Sequence, residues 1–574
     1  MLKSVKSYKN LSSFITFSRY IYRLYSTSNS EWKEPDVRTG HNTGIIIYNC
    51  VHKGNVPLIV RNPNYVTWYT CGPTVYDDAH IGHAVCYMKS DIIQRILRKH
   101  FRLNLITAMN ITDIDDKIIA KSMAEKRSWK EVVTKYESDF WNDIDSLGIQ
   151  RADIVLRVSE YMPQIINFIE RLLNKNAAYV GLDGSVYFSY TRKNTKLLNT
   201  LPPAIENVVK TKLKNLSDRK SAKDFTLWKA AKPNEPSWEV PWNYDHNENV
   251  RTAGRPGWHT ECASMATEIF GKTIDIHAGG IDLKFPHHEN EELQCCSYHD
   301  KDQWVNYWLH IGHLNIGDNV KMSKSLKNMI TIKEYLKHYS ADQLRMACLL
   351  STYHSHIQFG DDMLLSAGTA LQKFISFFDD TERYLKNASS DACILDQEEI
   401  LNAIDSTVKD IDVAIKNDFH TPTCILRLLD LIRKVNKGIT EKKENFTDTK
   451  ESSEFGCDFI VIKSVQKVVR EFLEMVGLNN LLPNTFMHKY NSTNLTGVNY
   501  SDRIKLENLI NDIMELRSSM LNEAFTNKNP MMFKLSDEIR ATLLKNNLII
   551  KDHGSYLKST WHFDHVITRK KQKK

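Results

Sequence analysis

A chain of 574 residues with 42% hydrophobic and 25% charged side chains is too long for one compact core and too apolar to be disordered, so roughly two to four domains are expected. Its 76 basic against 69 acidic residues leave a net charge of +7, which permits a polyanionic partner without demonstrating one. The ten cysteines are scattered and form no CxxC pair, which argues against a disulfide framework or a zinc ribbon, and no apolar run approaches the ~20 residues that cross a bilayer.

From Met1 to Ser30 there is no acidic residue, while Lys3, Lys6, Lys9, Arg19 and Arg23 lie among serines and apolar residues. That composition predicts a mitochondrial transit peptide over 1–30 and a location in the mitochondrial matrix. Phe14 to Tyr25 fits a basic amphipathic helix, and Arg23-Leu24-Tyr25-Ser26 resembles a processing site cut after Tyr25.

Strands are expected at Leu58–Val60 and Val66–Thr70, the second running into the turn Cys71-Gly72-Pro73. A helix from His80 to His100 follows, with apolar residues at Ile81, Val85, Met88, Ile92, Ile96 and Leu97, and then a buried strand, Leu103–Met109. Strand, helix and strand in so short a span make a βαβ unit and imply a parallel sheet. Further on, Ser128–Leu147 and Tyr161–Asn174 read as helices, and Gly184–Tyr190 and Thr273–Ala278 as strands. A lysine-rich loop leads to Phe225, a helix starts near Pro286, and from about Lys333 to Gly477 the pattern is almost entirely helical. Glu441–Glu454 and Pro483–Asp502 read as linkers. The expected fold is α/β. A Rossmann-type, doubly wound parallel-sheet domain spans 40–345 with a connective insertion at about 150–225, followed by an α-helical domain at 346–480 and a small C-terminal module at 500–574.

Two short motifs carry chemistry. His80-Ile81-Gly82-His83 falls where a strand and turn become a helix, the place where helix amides receive phosphate in a doubly wound fold. Gly82 lets a nucleotide approach the backbone, and His80 and His83 can donate hydrogen bonds to phosphate oxygens. Lys321-Met322-Ser323-Lys324-Ser325 follows the turn-forming Gly317-Asp318-Asn319, and its two lysines can hold phosphates as charge builds on them. Either motif alone is common. In this order, about 240 residues apart, the pair resembles the signature of class I aminoacyl-tRNA synthetases.

Five further segments resemble the cysteinyl-tRNA synthetase family, in the family's order. They are Cys71 to Ala79, Asn110 to Lys117, Gly254 to Cys262, Gly279 to Leu283, and Phe285 to Glu291. The resemblance is strong from about Val66 to Phe359 and traceable to Trp561. It implies an ATP-dependent cysteine–tRNA ligase that activates L-cysteine to cysteinyl-adenylate and transfers it to the terminal ribose of tRNA(Cys), with the helical half and C-terminal module on the tRNA.

The resemblance also implies site residues. His80, Gly82, His83, Gly280, Asp282 and Lys324 would bind ATP, with His80, His83, Lys321 and Lys324 catalytic. Cys71, Gly72, Thr74 and Trp258 would line the cysteine site, although ordinary core packing is an equal reading of Trp258. Cys71, Cys262, His287 and Glu291 match the family's ligands for one zinc ion per chain, and Mg²⁺ would arrive with ATP. Spacing alone does not mark a metal site here, since buried thiols are commoner than ligands. His287 and Glu291, four apart, share a helix face; His288 is the rival ligand, about a quarter-turn away. Zinc would separate cysteine from serine by preferring a thiolate to a hydroxyl, where an apolar pocket manages roughly a hundredfold. Asp113, Asp115 and Asp116 resemble a Mg²⁺ cluster but read better as structural. The loop continues Leu326-Lys327-Asn328 where many relatives have Leu-Gly-Asn. A monomer is favoured and no membrane is involved. The rivals are an amino-sugar cysteine ligase on the same domain and a degenerate RNA-binding relative; the long C-terminal half disfavours the first and the intact motifs the second.

Overall fold

A hairpin of His41–Asn49 (β1) and Gly54–Val60 (β2) leads into Val66–Thr70 (β3), whose residues are all buried, as a strand covered on both faces of a parallel sheet must be. The computed structural model describes residues 32–190, 219–242, 253–316, 320–321, 329–387, 395–441, 457–479 and most of 512–563, save single positions within these ranges. The transit segment, nearly all of both linkers, most of the lysine-rich loop, 322–328 of the lysine motif and its continuation, the 317–319 turn and the basic tail lie outside the described residues.

From β3 the chain passes through a helix, Ile81–Lys99 (α1), to Leu105–Ile111 (β4), and then through Asp116–Glu125 (α2) and Trp129–Ser146 (α3) to Ile154–Arg157 (β5). The apolar residues of α1 recur every three or four positions, and Ile81, Val85, Met88, Ile92 and Ile96 are all buried. Met162–Asn174 (α4) follows β5. Ala178–Val180 (β6), Val186–Phe188 (β7), Phe225–Ala230 (β8), Trp238–Glu239 (β9) and Ala253–Pro256 (β10) then form an antiparallel sheet in the order β6-β7-β8-β10-β9. Residues 178–256, rather than 150–225, supply this inserted sheet, because β5 pairs with β4 and completes the central sheet instead.

The chain returns through Trp258–Phe270 (α5) to Ile274–Gly280 (β11), and through Glu289–His299 (α6) to Val305–Ile311 (β12). The central sheet has the order β12-β11-β3-β4-β5 with every neighbour parallel. The connection reverses direction between β3 and β11, so a crevice opens at their carboxyl ends, where doubly wound folds bind nucleotides.

Leu314–Ile316 (β13) and Val320–Lys321 (β14) follow, then Ile332–Leu336 (α7), Ala341–Leu349 (α8) and Ile357–Phe359 (β15), which pairs with β13 and interrupts the expected helical run. Asp361–Asn387 (α9), Gln397–Lys416 (α10), Thr421–Glu441 (α11) and Cys457–Met475 (α12) make the helical region. Pro530–Lys545 (α13) and the hairpin Leu548–His553 (β16) and Leu557–Phe563 (β17) end the described chain.

Buried charge fixes α1 to the next layer. Asp91 accepts from Arg95 at 2.8 Å and from Arg345 of α8 at 2.6 Å, while Arg345 also donates to the Leu147 and Gly148 carbonyls. The Lys89 ammonium donates to the carbonyls of Thr352, Tyr353 and Ser355 before β15. Both devices hold the helix that carries the histidine motif in one orientation.

Candidate functional site

His80 caps α1 in an extended conformation, and its ring stacks on His83 with centroids 3.8 Å apart. A side chain at Gly82 would lie 2.9 Å from the His80 ring, so the missing Cβ makes room for that ring to fold over the helix start. The same turn is tied to the chain that returns from the lysine motif. Ile81 N donates to Ile330 O, Ile332 N donates to Ala79 O, and His80 bridges Thr331. At the motif's other end, Lys321 pairs in β14 with Asn315 of β13. The chain just after the lysine motif therefore lies against the start of α1, while 322–328, Lys324 among them, lie outside the described residues.

Across the crevice β11 ends in Gly279-Gly280, with Asp282 just beyond. A Cβ at Gly280 would come within 2.6 Å of Asp282 Oδ1, and one at Gly279 within 2.9 Å of the His288 ring. The glycine pair thus admits a carboxylate on one side and an imidazole on the other. Asp282 is 47% exposed and its Oδ1 lies 3.0 Å from His313 Nε2.

Beneath it lies a closed pocket of soft and nitrogen donors. Cys71, on the loop after β3, and Cys262, on α5, place their sulfurs 3.8 Å apart. Glu291 Oε1 stands 3.7 Å from Cys71 Sγ and 3.1 Å from His287 Nε2. All four residues are buried, Cys71 the least so at 6%. Two thiolates about 2.3 Å from one tetrahedral ion would stand about 3.8 Å apart, so the thiols sit at the spacing such an ion requires. Burial pushes both thiols up, Cys71 well above the ordinary range, and keeps the His287 and His288 imidazoles neutral by holding their pKa values well down. A dication at that point would turn thiols to thiolates and use neutral imidazoles as they stand.

A second set, Cys71, His277, His288 and Glu291, is also close enough to share an ion. His288 does not point away from the pocket: its Nε2 is 3.5 Å from Cys71 Sγ. Residues Lys284–His288 form a wide turn with Phe285 non-helical, so the regular helix begins only at Glu289 and simple helix geometry does not separate the two histidines. Nor do their other contacts, since each meets a second histidine through Nδ1. His288 Nδ1 lies 2.9 Å from His310 Nε2, and His277 Nε2 lies 3.0 Å from Glu291 Oε2. His277 thus orients the carboxylate from behind, leaving Oε1 to face the thiols. The sequence carries no sign of His277 or His310, single histidines inside strands, while His259, whose Nδ1 is 3.0 Å from His287 Nδ1, lies within a family-like segment but has no role assigned there.

Trp258 is not core. It is 40% exposed and stacks on His287 at 4.4 Å. Gly72 N donates to Asn110 Oδ1 at 2.8 Å, and Thr74 bridges Thr112, so the loop holding Cys71 is laced to β4. The three aspartates after β4 are each committed to protein. Asp113 accepts from Ser159, Asp115 caps α2 through Lys117 N, and Asp116 pairs with Lys229 and Arg255.

With this geometry in view, the comparisons are consistent. Residues 58–369 match the model of the tRNA synthetases class I (C) catalytic domain. The chain is 38% identical over 457 residues to a probable mitochondrial cysteine–tRNA ligase of Xenopus tropicalis, covering 78% of this chain and 74% of that protein. It is 34% identical to the probable mitochondrial cysteine–tRNA ligase of Dictyostelium discoideum, covering 93% and 91%. Among solved structures it resembles Mycobacterium tuberculosis methionyl-tRNA synthetase in complex with methionyl-adenylate, at a TM-score of 0.53 and 14% identity, over 75% of this chain and 97% of that one; this likeness concerns the fold.

Proposed function

This chain belongs to the cysteine–tRNA ligase family of class I tRNA synthetases, and from that premise we propose how its residues activate cysteine and load it onto tRNA(Cys). The observation that carries the reading is a pocket of two thiols, an imidazole and a carboxylate directly beside a nucleotide crevice. Soft donors in that position suit an amino acid recognised by its own thiol.

In the proposed reaction the cysteine carboxylate attacks the α-phosphorus of ATP, forming the acyl–phosphate bond as pyrophosphate leaves. The terminal ribose hydroxyl of the tRNA then attacks the carbonyl, and AMP departs. His80 and His83 donate to the phosphates from the start of α1, where helix amides add favourable potential. Gly82 and Gly280 let the nucleotide approach the backbone, and Asp282 receives a ribose hydroxyl. Lys321 and Lys324 stabilise the charge gathering on pyrophosphate, so the protein's work is positioning and electrostatics. Gly72 and Thr74 shape the amino-acid side of the pocket, and the exposed face of Trp258 walls it.

Cys71, Cys262, His287 and Glu291 would hold one Zn²⁺, which when bound supplies a Lewis acid that prefers a thiolate to a hydroxyl. Mg²⁺ would enter with ATP. The matrix location rests on the basic, acid-free segment 1–30 and on the mitochondrial relatives, and fusion of that segment to a reporter tests it. ATP–pyrophosphate exchange with cysteine and with serine tests the activity. Exchange driven by cysteine and not by serine is expected; equal rates with both would overturn the selection mechanism.

A further inference from the structure

Cys71 and Cys262 are separated by 191 positions and ride on different elements, a loop after β3 and the helix α5. Beside them runs a second connection between the same two places, starting at the Gly72 backbone and continuing through three buried side chains. Gly72 N donates to Asn110 Oδ1 at 2.8 Å, Asn110 Nδ2 donates to Thr112 Oγ1 at 3.2 Å, and Thr112 Oγ1 donates to Glu261 Oε2 at 3.1 Å. Every bond points the same way, from the residue after Cys71 to the residue before Cys262. Asn110, Thr112 and Glu261 are each 1% exposed, so no water replaces a lost link.

The loop end of this chain is fixed as firmly as its side-chain part. Thr112 N donates to Pro73 O at 3.0 Å and Val75 N to Thr112 O at 3.2 Å, zipping residues 73–75 along the end of β4. A Cβ at Gly72 would fall 1.7 Å from Asn110 O, so only glycine lets the loop lie this close.

We propose that Asn110, Thr112 and Glu261 are positioning residues that set the separation of the Cys71 and Cys262 thiols, and so the affinity and geometry of the metal pocket. The proposal rests on the metal reading above and assigns these residues no contact with substrate. It gives the segment after β4 a task distinct from that of its aspartates, which bind protein partners elsewhere. Groups outside the ligand set that orient metal ligands typically contribute 10–100-fold to affinity.

Thr112→Val keeps the shape and removes the hydroxyl that joins both halves of the relay; Thr112→Ser keeps it. The first readout is binding of Zn²⁺ by chelator competition, with absorption of the Co²⁺-substituted full-length protein; the second is KM for cysteine against KM for ATP. Thr112→Val should bind Zn²⁺ roughly 10–100-fold more weakly, with altered thiolate–cobalt bands and a raised cysteine KM at unchanged ATP KM, and Thr112→Ser should restore all three. Glu261→Ala should reproduce the defect from the other end, while Glu261→Gln, which keeps an acceptor oxygen, should stay near wild type; this pair decides if Thr112→Val does not fold. Wild-type affinity and spectrum in the folded Thr112→Val variant, or equal behaviour of the alanine and glutamine variants, would overturn the proposal while leaving the metal site standing. Wild-type protein that binds no Zn²⁺ would overturn the metal reading and this proposal with it.

Discussion

The two halves of the crevice are built on opposite plans. The thiol pocket is closed: Cys262 and His287 are 1% exposed and Glu291 is fully buried, and its parts come from the loop after β3, α5, the turn before α6 and α6 itself. The nucleotide side is open and local, with Asp282 47% exposed and each motif a few consecutive residues at an element's end. A selector for one side chain gains from a fixed, dry pocket, because geometry and low dielectric sharpen discrimination. A phosphate site must admit a highly charged, hydrated ligand and let a product go, so it is assembled from backbone, glycine and surface charge.

Breaking the closed half should have the larger effect. Cys262→Ser replaces a thiolate with a much poorer ligand, so zinc binding should fall by more than the roughly 10–100-fold expected of changes behind the ligands. Elemental analysis of purified protein should show a marked loss from one zinc per chain, and cysteine-dependent exchange should collapse while ATP still binds. Unchanged zinc content would remove Cys262 from the ligand set. Lys324→Ala strikes the open half. Losing one preorganised cation typically costs about 3 kcal/mol, or about a hundredfold in adenylate formation, with zinc content untouched. Pyrophosphate exchange within about threefold of wild type would sink that assignment.

The adjacent histidines sharpen the comparison within the closed half. His287→Ala removes the nitrogen beside Glu291 and should lower zinc affinity strongly. On the donor set Cys71, Cys262, His287 and Glu291, His288→Ala should retain metal and lower its affinity less, since it is His287 that stands 3.1 Å from the Glu291 oxygen facing the thiols. A greater loss from His288→Ala would instead select the donor set Cys71, His277, His288 and Glu291.

The same division explains what the sequence could disclose. The apolar spacing of α1 and the β-branched and aromatic run of β3 give a βαβ unit without any tertiary knowledge, because such patterns are set by which faces are buried. The hairpin β1–β2 was read only at its last three residues, since Gly54 to Val56 carries little alternation. Residues 178–256 were hard to divide because strands of two to six residues show no reliable period. The histidine and lysine motifs are legible because each is a run of consecutive residues. The thiol pocket is not: its sulfurs lie 191 positions apart, and only family resemblance drew them together before the fold did. His277 had no signature, and Asn110, Thr112 and Glu261, although they lie within two of the family-like segments, could not be linked to one another, since a buried hydrogen bond depends on the partner rather than on the neighbours in sequence.

The smallest expected effect lies behind the open half. Asp143 on α3 is 3% exposed, and its Oδ2 is a buried oxygen with no hydrogen-bond partner among the described residues. Lys333, which follows the lysine motif, is bound instead to Asp139 at 2.7 Å, with Asp78 of the loop before His80 at 3.8 Å. Burial raises Asp143 from 3.8 to about 6; Lys333 opposes that rise, and the charges of Asp139 and Asp78 add to it. The folded state therefore holds this proton more tightly than the unfolded chain. Its stabilising contribution is fully present below about pH 4 and is lost as pH rises through about 6, leaving an uncompensated carboxylate at pH 8. Asn at this position is neutral throughout, so Asp143→Asn should stabilise the protein at pH 8 by on the order of 1 kcal/mol, with a melting temperature higher by about 2 °C. That advantage should shrink at pH 5. Pyrophosphate exchange should change little, because the carboxylate is buried on α3. A variant no more stable than wild type at pH 8, or equally favoured at both pH values, would show that Asp143 stays ionised without cost, and that the support behind the open half is wetter than its burial indicates.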